Sequence, residues 1–162
     1  MGSQSGYIGQ GLALKSDKDR FVLPAKLRGT IFDRSDEKVL CLALHEAWPC
    51  LIGFGKDHAR QIPEILEREA KDARDFGRDF NRAERELLLS DFEEAPFDNS
   101  GRFIMPSVSA ELGGIGDMIY FQGATSHITV WDPRTLLAQT NPVFRGLQAR
   151  LRAELSQREI VL

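Results

Sequence analysis

Five cationic side chains stand close together near the start of this chain: Lys15, Lys18 and Arg20, then Lys26 and Arg28. Ammonium and guanidinium groups on a narrow projection can meet phosphates, and an arginine can also hold a guanine edge through two hydrogen bonds in the major groove of a duplex. The first thirty residues hold these five bases against two acids, Asp17 and Asp19, a balance of +3. The remainder carries 16 bases and 22 acids, or −6, within an overall charge of −3. A small positive patch on an acidic body grips a polyanion weakly by itself and needs several copies acting together. Charge alone fits a solvated surface loop equally well.

Groups that could carry covalent or acid–base chemistry are sparse. His45, His58 and His127 lie at no metal-ligand spacing, and no Gly-x-Ser-x-Gly, Cys-x-x-Cys or phosphate-binding glycine loop occurs. Glu93 and Glu94 are adjacent, so on a strand they point to opposite sides and form no acid and base pair. Gly113 and Gly114, with Gly116 close by, read as a helix stop and turn. The chain is therefore expected to be no enzyme, with no catalytic residue, no metal site and no cofactor. Cys41 and Cys50 both sit in an apolar stretch, as thiols do when they serve as small hydrophobes in a reducing cytosol.

The elements that must position the basic residues are written twice. Ser16-Asp17-Lys18-Asp19-Arg20-Phe21-Val22-Leu23-Pro24 returns eighty-two residues later as Asp98-Asn99-Ser100-Gly101-Arg102-Phe103-Ile104-Met105-Pro106. Each copy reads as a polar turn, a short buried strand and a proline that opens a helix. In the first copy Gly9 to Lys15 predicts an entering strand that forms a hairpin with Arg20 to Leu23 and carries a basic tip. A short helix from Pro24 should stop near Gly29. Val39 to Leu44 and Cys50 to Phe54 predict two more strands around a turn at His45 to Pro49.

The second copy repeats the plan. Glu94 to Phe97 enters, Asp98 to Gly101 turns, Pro106 to Leu112 makes the helix, and Met118 to Gln122 pairs with His127 to Trp131. Phe54 and Trp131 occupy matching places, each a large aromatic expected to close a core. Lys56 to Arg74 predicts a helix interrupted by Pro63, Asn81 to Leu89 a helix docking on its neighbours, and Asp132-Pro133 a capped helix start. Phe144, Leu147, Leu151 and Leu155 recur at helical spacing, with Arg145, Arg150, Arg152, Glu154 and Arg158 largely on other faces. That final helix could pack on its own subunit or between subunits.

The 162 residues, 42% hydrophobic and 28% charged, are those of an ordinary globular protein with one sizeable core or two small interlocked ones. No run approaches the roughly 20 apolar residues that span a bilayer, so no membrane partner is expected. Met1 to Gln10 has neither a basic start nor an apolar core, and no secretion signal is expected. The leading Met-Gly-Ser-Gln-Ser-Gly misses the myristoylation pattern at Gly6 and reads as a flexible lead-in.

Taken together, Tyr7-x-Gly9, Lys18-x-Arg20-x-x-x-Pro24-Ala25-Lys26-x-Arg28, Cys50-Leu51, Asp98-x-x-Gly101-Arg102-x-x-x-Pro106 and Trp131-Asp132-Pro133 resemble the MraZ family from about Tyr7 to Leu137. The resemblance implies an α+β fold: a pseudo-two-fold, swapped-hairpin AbrB-like β-barrel built from two repeats, with flanking helices. It implies SpoVT-AbrB-like repeats at 7–55 and 92–135, linking helices at 56–91 and a C-terminal helix at 136–162. It also implies a cytoplasmic, nucleoid-associated DNA-binding regulator, assembled as a ring-like homo-oligomer. Such a ring typically represses the division and cell-wall gene cluster through direct repeats in its own promoter.

The family's Asp-x-x-x-Arg signature maps to Ser16 and Arg20 in the first copy and to Asp98 and Arg102 in the second. Only the second copy matches fully. The Ser16 hydroxyl can still bond the turn backbone. Asp19 replaces the glycine kept at Gly101, at a left-handed position where a non-glycine residue costs about 1 kcal/mol and aspartate is among the better tolerated. Arg20 is assigned to base-edge or phosphate contact with double-stranded DNA, and Lys15, Lys18, Lys26 and Arg28 to phosphate positioning. Ser16, Asp98, Gly101 and Arg102 are assigned to structure or contact between subunits. Because Asp17 and Asp19 offset Lys18 and Arg20, the alternative is a ring-forming interaction or scaffold protein with weakened DNA binding.

Overall fold

The computed structural model describes residues 5–162; the expected lead-in falls largely on residues 1–4, outside the described residues. Along the chain run β1 (Gln10–Leu14), β2 (Arg20–Val22), α1 (Ala25–Ser35), β3 (Val39–Leu44), β4 (Leu51–Phe54), α2 (Lys56–Arg60), α3 (Ile62–Asp75) and α4 (Arg82–Ser90). Then follow β5 (Glu93–Pro96), β6 (Arg102–Ile104), α5 (Ser107–Gly113), β7 (Met118–Gly123), β8 (Ile128–Trp131), α6 (Pro133–Leu137), a 3-10 turn at Pro142–Phe144 and α7 (Arg145–Gln157). The fold is α+β. Among the described residues no helix is long and apolar enough to cross a membrane.

Six strands form one antiparallel sheet in the order β1-β7-β8-β4-β3-β5, while β2 and β6 pair separately as a two-stranded ribbon. The two sequence copies interleave. β1 pairs with β7 as β5 pairs with β3, β4 pairs with β8, and β2 pairs with β6. In the ribbon Phe21 lies opposite Phe103, Arg20 opposite Ile104, and Val22 opposite Arg102, so a local two-fold passes between the phenylalanines. Their rings stand 6.1 Å apart in the core. The strand pairings do not close into a ring: β1 and β5 are the two edges of the larger sheet.

Alternation along the strands divides the interior in two. Leu40, Leu42, Leu51, Ile119, Phe121 and Val130 face a core roofed by the ribbon and by Leu27 and Ile31 of α1. Their neighbours Leu12, Cys50, Tyr120 and Trp131 face the other way, against Phe144, Leu151 and Leu155. Both faces being covered, Met118 to Phe121 and all of β8 are buried without a break. Phe54 and Trp131 are both fully enclosed, Phe54 by His58 and Phe92, Trp131 by Phe144. The final helix packs on its own chain.

Two expectations are corrected. β1 and β2 do not form a hairpin with each other; each takes its partner from the second copy, because a lone hairpin is marginal in water whereas the exchange buries Phe21 on Phe103. α1 runs past Gly29 to Ser35 and ends at Asp36, φ 58°. A helical glycine costs about 1 kcal/mol, and burial of Leu27 and Ile31 on either side of Gly29 outweighs it. α4 docks on α3 as expected, through Arg82–Glu67 and Arg85–Glu69 ion pairs; none of its residues is buried, and Leu87 and Leu88 are exposed.

Candidate nucleic-acid interface

The two turns are built alike with different side chains. Asp98 Oδ1 accepts from the Ser100 and Arg102 backbone N–H groups at 2.9 and 3.0 Å, and its Oδ2 accepts from Arg102 Nε at 2.7 Å. These bonds, that from the Arg102 N–H foremost, hold the Asp98 carboxyl below its usual range. Ser16 Oγ takes the same two backbone groups, from Lys18 at 3.3 Å and Arg20 at 3.2 Å. A hydroxyl brings no charge, so Arg102 is ion-paired with Asp98 while Arg20 has no carboxylate within 4.0 Å among the described residues. Asp19 adopts φ 57° where Gly101 adopts 85°.

The five basic residues do not form one cluster. Lys15 and Lys18 are exposed and Arg20 half-buried at the turn end of β2, where Lys15 and Asp19 line a cavity with Met105, Ala110 and Gly116 of the second copy. Lys26 and Arg28 lie at the opposite end of the ribbon. There the Lys26 stem packs on Gly9, a strand's length from Lys15, about 20 Å at about 3.4 Å per residue. Arg28 Nη1 donates to the Leu23 carbonyl at 2.7 Å, and its guanidinium lies under Gly101, so this residue braces the second turn. Because β2 and β6 run antiparallel, each turn sits over the other copy's helix rather than its own.

The turn end carries Asp17 and Asp19 beside its three cations, and Asp117, whose carboxylate lies 3.9 Å from Arg134 Nη1, receives the Lys15 N–H on its carbonyl at 2.8 Å. The helix end is the more cationic, for Asp98 is occupied by Arg102. Lys38, absent from the sequence-based set, joins it by donating to Asn99 Oδ1 in the second turn. Nothing in the repeat marks Lys38; its place follows from the β3–β5 pairing. Arg20, Val22, Arg102 and Ile104 share the solvent face of the ribbon, with Val22 and Ile104 exposed and the phenylalanines turned inward.

The remaining reactive side chains have structural partners. His45 Nδ1 accepts from the Ala47 and Trp48 backbone at 2.9 and 3.1 Å and its ring stacks on Trp48. His58 packs on Phe54, and His127 Nδ1 lies 2.9 Å from Ser126 Oγ; burial lowers the pKa of all three histidines. Glu93 accepts from Ser109 while Glu94 turns the other way to Lys56, as strand neighbours should. Burial pushes the Cys41 and Cys50 thiols up to about 12. Among the described residues no group of three His, Cys, Asp or Glu could hold a metal ion.

No family model matches the chain. It is similar over most of its length to proteins named transcriptional regulator MraZ. That of Rhodospirillum rubrum is 30% identical over 122 residues, covering 75% of this chain and 76% of the relative. That of Parvibaculum lavamentivorans is 29% identical over 147 residues, 85% and 88% of the two chains, and that of a Roseiflexus species 26% over 133 residues, 79% and 82%. With the doubled turn, the interleaved strands and this length of shared sequence in agreement, the chain belongs to the MraZ family.

Proposed function

We propose that this protein is a transcriptional regulator that binds double-stranded DNA in a sequence-specific way. The finer reading is a cytoplasmic, nucleoid-associated repressor of the division and cell-wall gene cluster, acting at direct repeats in its own promoter. Segments 7–55 and 92–135 are its two SpoVT-AbrB-like swapped-hairpin repeats, 56–91 its linking helices and 136–162 its C-terminal helix. The exposed Leu87 and Leu88 of α4 supply apolar surface for assembly into a ring-like homo-oligomer, and several protomers together supply the avidity that one patch lacks.

The observation that carries this reading is the state of the cations. Among the described residues eight are ion-paired, Arg34, Lys56, Arg60, Lys71, Arg82, Arg85, Arg102 and Arg134, and none of these belongs to the first thirty positions. Lys15, Lys18, Arg20, Lys26 and Arg28 have no carboxylate partner among the described residues. Unneutralised cations around an exposed ribbon are free to displace counterions from phosphate.

Fluorescence anisotropy with a duplex from the upstream promoter, titrated at several salt concentrations, tests the reading. Arg20→Ala should weaken binding about tenfold or more, within the 1–3 kcal/mol of a base-edge contact. Unchanged affinity removes Arg20 from the interface. A wild-type protein without salt-sensitive binding overturns the regulator reading in favour of a scaffold.

A further inference from the structure

We infer that the C-terminal helix α7 supplies a second, phosphate-gripping arm of this DNA surface, with Arg158 and Arg150 as its contacts; the inference rests on the DNA reading above.

Outside the amino-terminal segment eight cations have no ion-pair partner among the described residues; four of them, three on α7 and Arg158 at its end, lie together, the others being Lys38, Arg68, Arg74 and Arg78. Arg145, Arg150, Arg152 and Arg158 are all exposed, and none has a carboxylate within 4.0 Å among the described residues. The helix itself carries one acid, Glu154, and that carboxylate is already engaged. Its Oε2 accepts the Leu12 N–H at 2.6 Å. On β1 the odd-numbered residues turn their backbone groups toward β7, as Gly9 and Lys15 do, so the Leu12 N–H points off the free edge of the sheet. Glu154 therefore satisfies an edge donor and forms no ion pair with the neighbouring guanidiniums; the exposed Glu159, next to Arg158, forms none either among the described residues.

The same bond fixes where those guanidiniums stand. Arg150, Glu154 and Arg158 are spaced four apart and form one stripe along the helix. With Glu154 pinned to Leu12, Arg158 lies beside β1, while Arg150, a turn earlier on the same stripe, folds its guanidinium back over Gly146. Arg158 forms one wall of a groove whose other wall includes Leu14 and Val22. Val22 and Arg20 alternate on β2 and so share a face, which places Arg158 and the ribbon's cationic face around one groove. A duplex seated on the ribbon would present its sugar–phosphate backbone to this arm. The arm has no base-reading element, so its contacts position the duplex and do not specify sequence.

The test compares Arg158→Gln and the double variant R150Q/R158Q with wild type, each on the promoter duplex and on an unrelated duplex of equal length. Arg68→Gln, at an exposed arginine of α3 without an ion-pair partner among the described residues, removes the same charge at a distance and serves as control. R158Q should weaken binding to both duplexes by the same factor and lower the slope of log affinity against log salt by about 1 per bound protomer, the double variant by about 2. R68Q should change neither. A wild-type slope and affinity in the double variant overturn the inference and leave the DNA reading standing, as does an equal loss in R68Q. Absence of salt-sensitive DNA binding by wild type overturns both.

Discussion

Asp19 and Gly101 hold the same left-handed position in the two turns, at φ 57° and 85°, and Gly101 has the Leu23 carbonyl and Arg28 pressed against it. A Cβ there would lie 2.7 Å from both the Leu23 carbonyl oxygen and Arg28 Nη1. The residue matching Arg28 in the second copy is Ala110, which faces Asp19 across a cavity of about 320 Å³. The departure from glycine at 19 is thus permitted by a small side chain opposite. Gly101→Ala should lower stability by about 2 kcal/mol or more, summing left-handed strain and the clash, whereas Asp19→Asn should stay within about 0.5 kcal/mol. Urea unfolding of the two variants checks the contrast.

Asp19→Asn carries a second consequence. It removes a carboxylate beside Lys18 and Arg20 and keeps a residue type that tolerates positive φ. Promoter binding should tighten about two- to fivefold at low salt, on the scale of a surface charge interaction, and the gain should vanish as salt screens it. An unchanged affinity at low salt would place the first turn away from the duplex.

Arg28 and Lys26, assigned alike from sequence, should separate on mutation. Arg28→Ala removes the hydrogen bond to the Leu23 carbonyl and the support under Gly101, at a cost of about 1.5–3 kcal/mol for a charged donor. Lys26→Ala, at an exposed lysine without an ion-pair partner among the described residues, should leave stability within about 0.5 kcal/mol and weaken DNA binding. Denaturant midpoints and binding isotherms measured on both variants distinguish the roles.

Three buried acids set the alkaline behaviour. Burial pushes the Tyr7 hydroxyl from 10.0 up to about 12, and the Cys41 and Cys50 thiols from 9.0 up to about 12. The folded values exceed the unfolded ones, so folding retains protons that the unfolded chain releases. This stabilisation is complete below about pH 9 and is lost as the pH rises from there toward 12. Thermal unfolding followed from pH 8 to pH 11 should show a falling midpoint, with both thiols unreactive toward a disulfide reagent at pH 8 until the protein unfolds.

The order and kind of the strands were legible because apolar runs such as Val39 to Leu44 and Met118 to Phe121 are bounded by turn residues, and the doubled motif announced two like halves. Strand partnership was not. Residues 16–24 specify a turn and a buried strand equally well for a hairpin with β1 or an exchange with β6, and only the fit of Phe21 on Phe103 decides. The binding surface divided along the same line. Lys15, Lys18 and Arg20 could be named from type and spacing, but the bracing role of Arg28 depends on Gly101, which lies seventy-three positions away and is brought near by the ribbon. Gly29 misled because a helix stop signal yields when buried residues flank it.

The interleaving of the copies also dictates how the molecule must be made. The β3–β4 and β7–β8 hairpins can zip from adjacent strands as the chain leaves the ribosome; β1, β2 and the free side of β3 wait for residues near 120, 103 and 95 to emerge. Such long-range closure is slow, and until translation has passed β7 the nascent amino-terminal half offers bare strand edges to its siblings on the same messenger. A polysome is then a place where the halves of two chains meet in trans, and the geometry that joins the halves within one chain serves equally to join them between chains.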